Sequence, residues 1–366
     1  MKVGLVYGGK SGEHEVSLST AFAVSNEFDY SKYAIKPFYI SKQGQWFTAP
    51  FMEEAPKSKE QLILSNTIVD GEATTHKALF SIFSSLDGIT HEEQVDVMFP
   101  LLHGTFGEDG TIQGLFEMAN IPYVGAGVLA SSVGMDKVFM KKAFADAGLP
   151  QCVYRYFTKS QWEKEQDYYL MECEIALGYP CFVKPANLGS SVGISKANNR
   201  KQLIEAINYA FRFDRKVIIE ENITAREIEV SVLGNEEPKA SVAGEIISDH
   251  DFYDYTAKYT DGKSSMVIPA PISQELMDEL RQMAIRAFQA IDGTGLTRAD
   301  FFVTKDTGRV YINEVNTLPG FTPYSMYPLM WRETGLPYKQ LLDELITLAV
   351  ERHAKKQEID YTGSAT

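Results

Sequence analysis

The stretch TRADFFVTKDTGRVYINEVN, residues 297–316, carries the strongest structural signal in the chain. Apolar and polar residues alternate on both sides of Lys305-Asp-Thr-Gly308, a sequence that is typical of a hairpin loop. The pattern predicts two paired strands, Thr297–Thr304 and Arg309–Asn316. Whether the hairpin also binds a ligand depends on the polar side chains of these strands.

Four polar side chains of the hairpin are spaced two residues apart within each strand. Arg298 and Asp300 share one face of the first strand, and Glu314 and Asn316 share one face of the second. If both faces point the same way, three oxygen ligands and a guanidinium converge. Mg²⁺ prefers one or two carboxylates together with substrate phosphates, so this face is a candidate metal–triphosphate site. A solvated sheet face with one salt bridge fits the spacing equally well.

A second candidate site is the loop Lys184-Pro-Ala-Asn-Leu-Gly-Ser-Ser-Val-Gly193, which follows an apolar strand at Cys181–Lys184. Its glycines let the backbone approach a phosphate closely, and neighbouring amide groups form an anion-binding concavity. Lys137, at the start of a predicted helix, is a further candidate for phosphate contact. A plain turn and a surface lysine are the alternative interpretations.

Three further segments carry polar groups at positions that suit ligand binding. Glu220 and Glu221 end a predicted strand, and Glu227 follows six residues later. These carboxylates could bind an adenine and a ribose, or they could be a solvated strand end. Asp251–Tyr259 suits a lid over a charged ligand, or an aromatic surface patch. Leu102–Gly110 follows a predicted strand, where ligands of parallel sheets usually bind.

The letters GLVYGGKS, residues 4–11, match the phosphate-binding P-loop pattern. A P-loop needs a complete strand before its first glycine and a helix at its Lys-Ser end. Gly4 stands near the start of the chain, and the apolar run Val3–Tyr7 occupies the place of the loop. A buried strand that ends in a glycine turn is the better interpretation.

Composition limits the classes of function. The chain has 366 residues, which suggests two or three domains, and a net charge of −14, which argues against nucleic-acid binding. Its apolar runs are too short for a signal peptide or a membrane span. Cys152, Cys173 and Cys181 lack metal-ligand spacing and indicate a reducing compartment. These features predict a cytoplasmic enzyme or binding protein.

The order of elements predicts an α/β (α+β) protein. A strand at Val3–Tyr7, a helix at Glu15–Phe28 and a strand at Ala34–Ile40 alternate as in a parallel, helix-covered sheet. The polar stretch Phe51–Thr75 is expected to be a surface insertion, and we assign it no function.

Seven motifs, in this order, resemble the D-alanine–D-alanine ligase family of the ATP-grasp superfamily. They are Gly8–Ser17, His103–Gly110, Met135–Lys137, Val183–Gly193, Phe252–Tyr259, Arg298–Asp300 and Asn313–Thr322. The resemblance implies a three-domain ATP-grasp architecture with ATP between the last two domains. The three domains are an N-terminal parallel-sheet (Rossmann-like) domain, a central subdomain and a C-terminal domain. They are expected at residues 1–125, 126–216 and 217–366.

The resemblance also implies the reaction. ATP phosphorylates the carboxylate of one D-alanine, and the amine of a second D-alanine attacks the acylphosphate to give D-alanyl-D-alanine for peptidoglycan synthesis. ATP and two Mg²⁺ (or Mn²⁺) are the implied cofactors, and a homodimer is the implied assembly. In this family tyrosine at position 259 goes with D-alanine as second substrate and phenylalanine with D-lactate. D-Serine stays open, because a small pocket rejects one hydroxyl only weakly.

The resemblance assigns roles to individual residues. Glu13 would hold the first D-alanine with His103 nearby, and Glu13, Ser190 and Tyr259 would form a hydrogen-bonded link that fixes the lid. Arg298 and the Gly320 N–H would face the developing oxyanion, and Ser325 the second carboxylate. The phosphates would be bound by Lys137, Lys184, Ser191 and Lys258, adenosine by Glu220, Glu221, Ile223 and Glu227, and the metal ions by Asp300, Glu314 and Asn316.

Two alternatives remain beside the ligase. One is an ATP-dependent carboxylate–amine ligase with another substrate, and the other is a nucleotide-binding regulatory protein without turnover. The intact set Arg298, Asp300, Glu314 and Asn316 argues against the second, because a non-catalytic relative is free to lose its metal ligands.

Overall fold

The structure is a computed structural model that describes residues 1–65, 94–189, 192–248, 264–322, 324–361 and 363. The described residues form three β-sheets covered by helices. Four predicted site residues lie outside the described residues, namely Ser190, Ser191, Lys258 and Tyr259. The lid motif Asp251–Tyr259 and residues 66–75 of the insertion also lie outside them. Among the described residues, no helix has the length and apolar character that crossing a membrane requires.

The first sheet is mostly parallel, as the sequence predicts. Its order is β3-β2-β1-β4, with β1 at Lys2–Gly8, β2 at Ala34–Ile40, β3 at Trp46–Thr48 and β4 at Val97–Pro100. β1 runs parallel to β2 and β4, and β3 is an antiparallel edge. Six of the seven β1 residues are buried, because strands of a parallel sheet are covered on both faces. Gly4 lies inside β1, whereas the first glycine of a P-loop follows its strand, so the structure disagrees with the P-loop interpretation.

The second sheet is antiparallel, in the order β5-β8-β6-β7. Its strands are β5 at Tyr154–Thr158, β6 at Cys181–Pro185, β7 at Ser195–Ala197 and β8 at Lys216–Glu221. The expected boundary between residues 216 and 217 therefore falls inside β8, and the chain leaves this sheet only after Glu221. The sequence pattern of β8 identifies a strand but does not reveal the strands with which it pairs.

The third sheet is antiparallel and contains the predicted hairpin. Its order is β11-β10-β9-β12-β13, with strands at Ala225–Gly234 (β9), Lys239–Ser248 (β10), Ser264–Val267 (β11), Gly295–Thr304 (β12) and Val310–Asn316 (β13). β12 and β13 pair directly, with Arg298 opposite Asn316 and Asp300 opposite Glu314. The helix Gln274–Ala290 buries its apolar face, including Leu280 and Phe288, in the core of this sheet.

The helices connect the sheets into one body. Beside Gln274–Ala290, the α-helices of the described residues are His14–Glu27, Thr111–Met118, Val128–Met135, Lys137–Asp146, Lys159–Lys164, Gln166–Ala176, Arg200–Ala210, Met326–Glu333 and Tyr338–Gln357. The last helix buries Leu341 and Leu345 in the same apolar cluster as Val3 and Leu5 of β1. Each fully buried leucine contributes about 2 kcal/mol, so the C-terminal helix helps to stabilise the N-terminal sheet.

Candidate functional site

A polar cavity lies between the second and third sheets. It brings together six of the residues that the sequence assigns to phosphate, adenosine or metal: Lys137, Lys184, Glu227, Asp300, Glu314 and Asn316. Glu108 of the first domain and Glu229 of β9 also line it. Cations and carboxylates from separate parts of the chain therefore face one space, which suits a ligand that carries both phosphates and metal ions.

The hairpin side chains converge as the period-two pattern predicts. Arg298 donates two hydrogen bonds of 2.8 Å to the carboxylate of Asp300 and forms an ion pair of 2.9 Å with Glu229. Asn316 Nδ2 donates to the same Asp300 carboxylate at 2.9 Å. Burial alone would lower the pKa of Arg298, but Asp300 and Glu229 outweigh burial and raise it, so the guanidinium stays charged.

The donor set of this hairpin fits Mg²⁺. Asp300 and Glu314 stand opposite each other on neighbouring strands, and both offer the hard carboxylate oxygens that this ion prefers. Asn316 turns its amide nitrogen toward Asp300, so it needs a half-turn of the amide to offer its oxygen instead. No group of three His, Cys, Asp or Glu side chains suited to a metal occurs in the described part of the chain. The set is therefore two carboxylates and one amide, which leaves ligand positions for phosphate oxygens.

Lys137 enters the cavity from the first turn of the helix Lys137–Asp146. Its ammonium lies 3.2 Å from Glu314 and 3.1 Å from the carbonyl of Leu188, in the middle of the predicted phosphate loop. Asp136 caps this helix by accepting from the amides of Val138 and Phe139. The cap fixes where the helix begins and thereby holds Lys137 beside the loop.

Lys184 is one of three charged side chains in a buried row. One carboxylate oxygen of Glu220 lies 2.5 Å from Lys184 Nζ, and the other lies 2.8 Å from Lys141 Nζ. Burial alone would raise the pKa of Glu220, but the two lysines outweigh it and hold the pKa well below its usual range. Burial likewise lowers the pKa of each lysine, and Glu220 more than reverses this effect. All three groups are therefore charged at neutral pH.

The four residues assigned to adenosine do not all line the cavity. Glu227 lines the cavity, whereas Glu220 is buried behind Lys184. Glu221 accepts a hydrogen bond of 2.7 Å from the amide of Val153, and Ile223 is half-buried beyond the end of β8. Among the described residues, Glu227 is the member of this set that lines the cavity itself.

The two residues assigned to the first substrate, Glu13 and His103, lie at the edge of the first sheet. His103 is 5% exposed, and its Nδ1 lies 3.8 Å from Glu108. Burial lowers the pKa of His103, but Glu108 and Glu13 outweigh burial and raise it above its ordinary value. The Glu13 carboxylate lies so close to Gly104 that a Cβ there would come within 2.7 Å of it. A left-handed backbone with φ of +71° at Gly104 also favours glycine, so a side chain there would strain the backbone and displace this carboxylate.

The two residues assigned to the oxyanion and the second carboxylate are neighbours. A Cβ on Gly320 would lie 3.0 Å from Ser325 Oγ, and Ser325 accepts a hydrogen bond of 3.0 Å from the amide of Thr322. Ser325 directly precedes the helix Met326–Glu333. A hydroxyl at this position can bind a carboxylate near a helix N-terminus.

Sequence reasoning missed three charged residues of the site. Glu108 stands inside the His103–Gly110 motif, but no role was predicted for it. Lys141 follows Lys137 by one helical turn, and this i,i+4 spacing was the signal that could have identified it. Glu229 follows Glu227 by two residues on β9 and therefore shares its face, although its partner Arg298 is distant in sequence.

Comparisons with known proteins agree with these observations. The family described as D-ala D-ala ligase N-terminus matches residues 2–126, and the D-ala D-ala ligase C-terminus matches residues 143–347. A D-alanine–D-alanine ligase of Bacillus cytotoxicus is 55% identical over 362 residues and 99% of each chain. One of Listeria monocytogenes is 50% identical over 98% of each chain.

Solved structures give the same result. The D-alanine–D-alanine ligase of Coxiella burnetii aligns with a TM-score of 0.77 and 32% identity, over 98% of this chain and 96% of that one. The D-Ala:D-Ser ligase VanG of Enterococcus faecalis aligns with a TM-score of 0.80 and 35% identity, over 95% of this chain and 99% of that one.

Proposed function

This chain belongs to the D-alanine–D-alanine ligase family, and on that premise we propose that it joins two D-alanines at the expense of ATP. The product is D-alanyl-D-alanine, a precursor of peptidoglycan. The observation that carries the proposal is the cavity in which Lys137 and Lys184 face the carboxylates of Asp300 and Glu314. That combination suits a triphosphate and its metal ions.

The chemistry explains why such a cavity is needed. A carboxylate is a poor electrophile, so one of its oxygens must be phosphorylated before an amine can displace it. Phosphoryl transfer requires positioning and neutralisation of charge, and Lys137 and Lys184 supply both to the phosphate chain. The amine of the second D-alanine then attacks the acyl carbon, and the phosphate leaves with one of the original carboxylate oxygens. No protein nucleophile takes part.

Metal ions complete this charge balance in the proposal. Asp300, Glu314 and Asn316 would hold two Mg²⁺ or Mn²⁺, which supply positive charge against the phosphate oxygens when they are bound. Release of Asp300 from Arg298 would free its carboxylate for the metal and the guanidinium for a developing oxyanion. The two hydrogen bonds between Arg298 and Asp300 support this role, because they keep both groups ionised and close together.

The substrate roles follow the family assignment. Glu13 would bind the ammonium of the first D-alanine beside His103, and the Gly320 N–H and Ser325 would bind the oxyanion and the second carboxylate. Ser190 and Tyr259 would close the lid with Glu13, while Ser191 and Lys258 would bind phosphate. Glu220, Glu221, Ile223 and Glu227 would bind adenosine. The closeness of Gly320 to Ser325, and of Glu13 to Gly104, supports two separate polar subsites.

We also propose a cytoplasmic homodimer. All three cysteines are buried free thiols, which suits a reducing compartment. The homodimer follows from the family resemblance, and sedimentation of the purified protein at several concentrations tests it. A molecular mass of one chain, 41.0 kDa, at every concentration would contradict it.

The test of the proposed reaction is phosphate release from ATP and Mg²⁺ by the purified protein, with products identified by mass. The amino acids supplied are D-alanine, L-alanine, D-alanine with D-serine, and D-alanine with D-lactate. We expect release that depends on D-alanine and yields the dipeptide. D-Serine is included because a D-Ala:D-Ser ligase is among the similar structures.

Two outcomes would contradict the proposal. Phosphate release that depends on another amino acid, with no D-alanyl product, would identify a carboxylate–amine ligase of different specificity. Binding of ATP without release under any of these conditions would favour the regulatory alternative.

A further inference from the structure

Lys141 is a buried cation that does not reach the cavity. It is 1% exposed and stands one turn after Lys137 on the same helix. Its ammonium lies 2.8 Å from one oxygen of Glu220, whose other oxygen lies 2.5 Å from Lys184. A single carboxylate thus separates two ammonium groups, and of the two only Lys184 lines the cavity.

The charges of this row decide how strongly Lys184 attracts an anion. Lys141, Glu220 and Lys184 together carry a net charge of +1. If Lys141 were neutral, Glu220 and Lys184 would form a neutral pair, and the attraction for a phosphate in the cavity would largely cancel. Salt screens this effect poorly, because Lys141 and Glu220 are almost completely buried.

The other contacts of Lys141 do not change this balance. Its ammonium lies 3.6 Å from Cys152 Sγ and 5.7 Å from the ring of Tyr154. Burial raises the pKa of Cys152, so the thiol stays protonated at neutral pH. Neither group carries a charge, so the negative charge that Lys141 neutralises is that of the Glu220 carboxylate.

We propose that Lys141 is a positioning residue for the nucleotide: it neutralises Glu220 and so leaves the positive charge of Lys184 available to the phosphates. This inference rests on the proposed function, because it takes the anion in the cavity to be the phosphate chain of ATP. Lys141 touches no phosphate itself and acts through Glu220 and Lys184.

The test compares two ligands that share the nucleoside and differ in phosphate. Dissociation constants of ADP and adenosine are measured with Mg²⁺ by calorimetry for the wild type, Lys141→Met and Lys142→Met. Lys141→Met should weaken ADP binding by about tenfold or more and adenosine binding by no more than about threefold. Lys142 is exposed and lies over the rings of Phe139 and Tyr156, so Lys142→Met should change neither constant.

A double variant keeps the test decisive if Lys141→Met fails to fold. Lys141→Met combined with Glu220→Gln removes both buried charges and leaves Lys184 with its own. The proposed function also assigns Glu220 to adenosine, a part that ADP and adenosine share, so the ratio of their two dissociation constants is compared. This ratio should return to within about threefold of the wild-type ratio. A ratio still about tenfold or more above wild type would overturn the proposal.

The remaining outcomes separate this proposal from the function on which it rests. A wild type that binds no ADP and makes no dipeptide defeats the proposed function. A wild type that does both, with Lys141→Met binding ADP as tightly as wild type, defeats only the role of Lys141. Equal weakening of ADP and adenosine also defeats it, because that result indicates a structural role.

Discussion

Lys137 and Glu314 form an ion pair of 3.2 Å that joins the start of a helix to strand β13 across the cavity. The side chains are 12% and 23% exposed, so both groups remain accessible to a ligand. A phosphate that binds Lys137 and a cation that binds Glu314 would each replace one half of this pair. Under the proposed function, the ion pair would keep two opposite charges in position for a metal–phosphate ligand.

Replacement of that carboxylate tests the metal assignment. Glu314→Gln keeps the shape of the side chain and removes its charge, so we expect dipeptide formation to fall by about a hundredfold or more. The melting temperature should change little, because no apolar packing is lost. The exposed Glu351 offers a control, Glu351→Gln, with unchanged activity. Undiminished synthesis by Glu314→Gln would remove this residue from the metal site.

Two lysines distinguish the proposed phosphate site from the P-loop pattern. Lys184 lines the cavity, whereas Lys10 is exposed and lies 5.7 Å from the ring of Phe106. We expect Lys184→Ala to abolish measurable ATP binding and Lys10→Ala to retain it, as measured by calorimetry. The opposite pattern would restore the P-loop interpretation.

The charge of His103 predicts how stability depends on pH. Burial lowers the pKa of His103, but Glu108 and Glu13 outweigh it and raise the pKa above the ordinary 6.5. A raised pKa in the folded state means that protonation of His103 stabilises the fold fully below pH 6.5. This contribution is lost as pH rises through the raised pKa.

The measurement is the free energy of unfolding by urea, compared between wild type and His103→Gln. The advantage of the wild type should shrink as pH rises from about 6 to about 9. A difference that stays constant or grows over this range would show that His103 is not held in its charged form.

Tyr259 tests the choice of second substrate. On the family correlation, Tyr259→Phe should raise the ratio of D-lactate to D-alanine that is used as second substrate. Competition between the two compounds, with both products measured by mass at several pH values, gives this ratio directly. If Tyr259→Phe and wild type have the same ratio at every pH, residue 259 does not control the choice.

Much of the site could be predicted from local pattern. Period-two spacing is enough to align Arg298 with Asp300 and Glu314 with Asn316, and the register of β12 and β13 then brings the pairs together. The buried run of β1 likewise identifies a central parallel strand without any tertiary information. The roles of individual residues came from the family resemblance rather than from spacing.

The rest depends on contacts between distant parts of the chain. The partner of Lys141 is Glu220, on a strand that follows after several other elements. The sequence pattern predicts β8 as a strand, but the pairing of β8 with β5 and β6 depends on tertiary packing. The helix Tyr338–Gln357 belongs to the same apolar cluster as β1 and so links the two ends of the chain in the same way. Local periodicity does not report such contacts.

The most direct test of the central claim follows the oxygen atoms of the substrate. D-Alanine labelled with ¹⁸O in its carboxylate is supplied with unlabelled ATP, and the released phosphate is analysed by mass. If the carboxylate is phosphorylated and the acylphosphate is then attacked by an amine, each dipeptide is accompanied by one phosphate that carries one ¹⁸O. Unlabelled phosphate would show that water attacks ATP and would contradict ligation through D-alanyl phosphate.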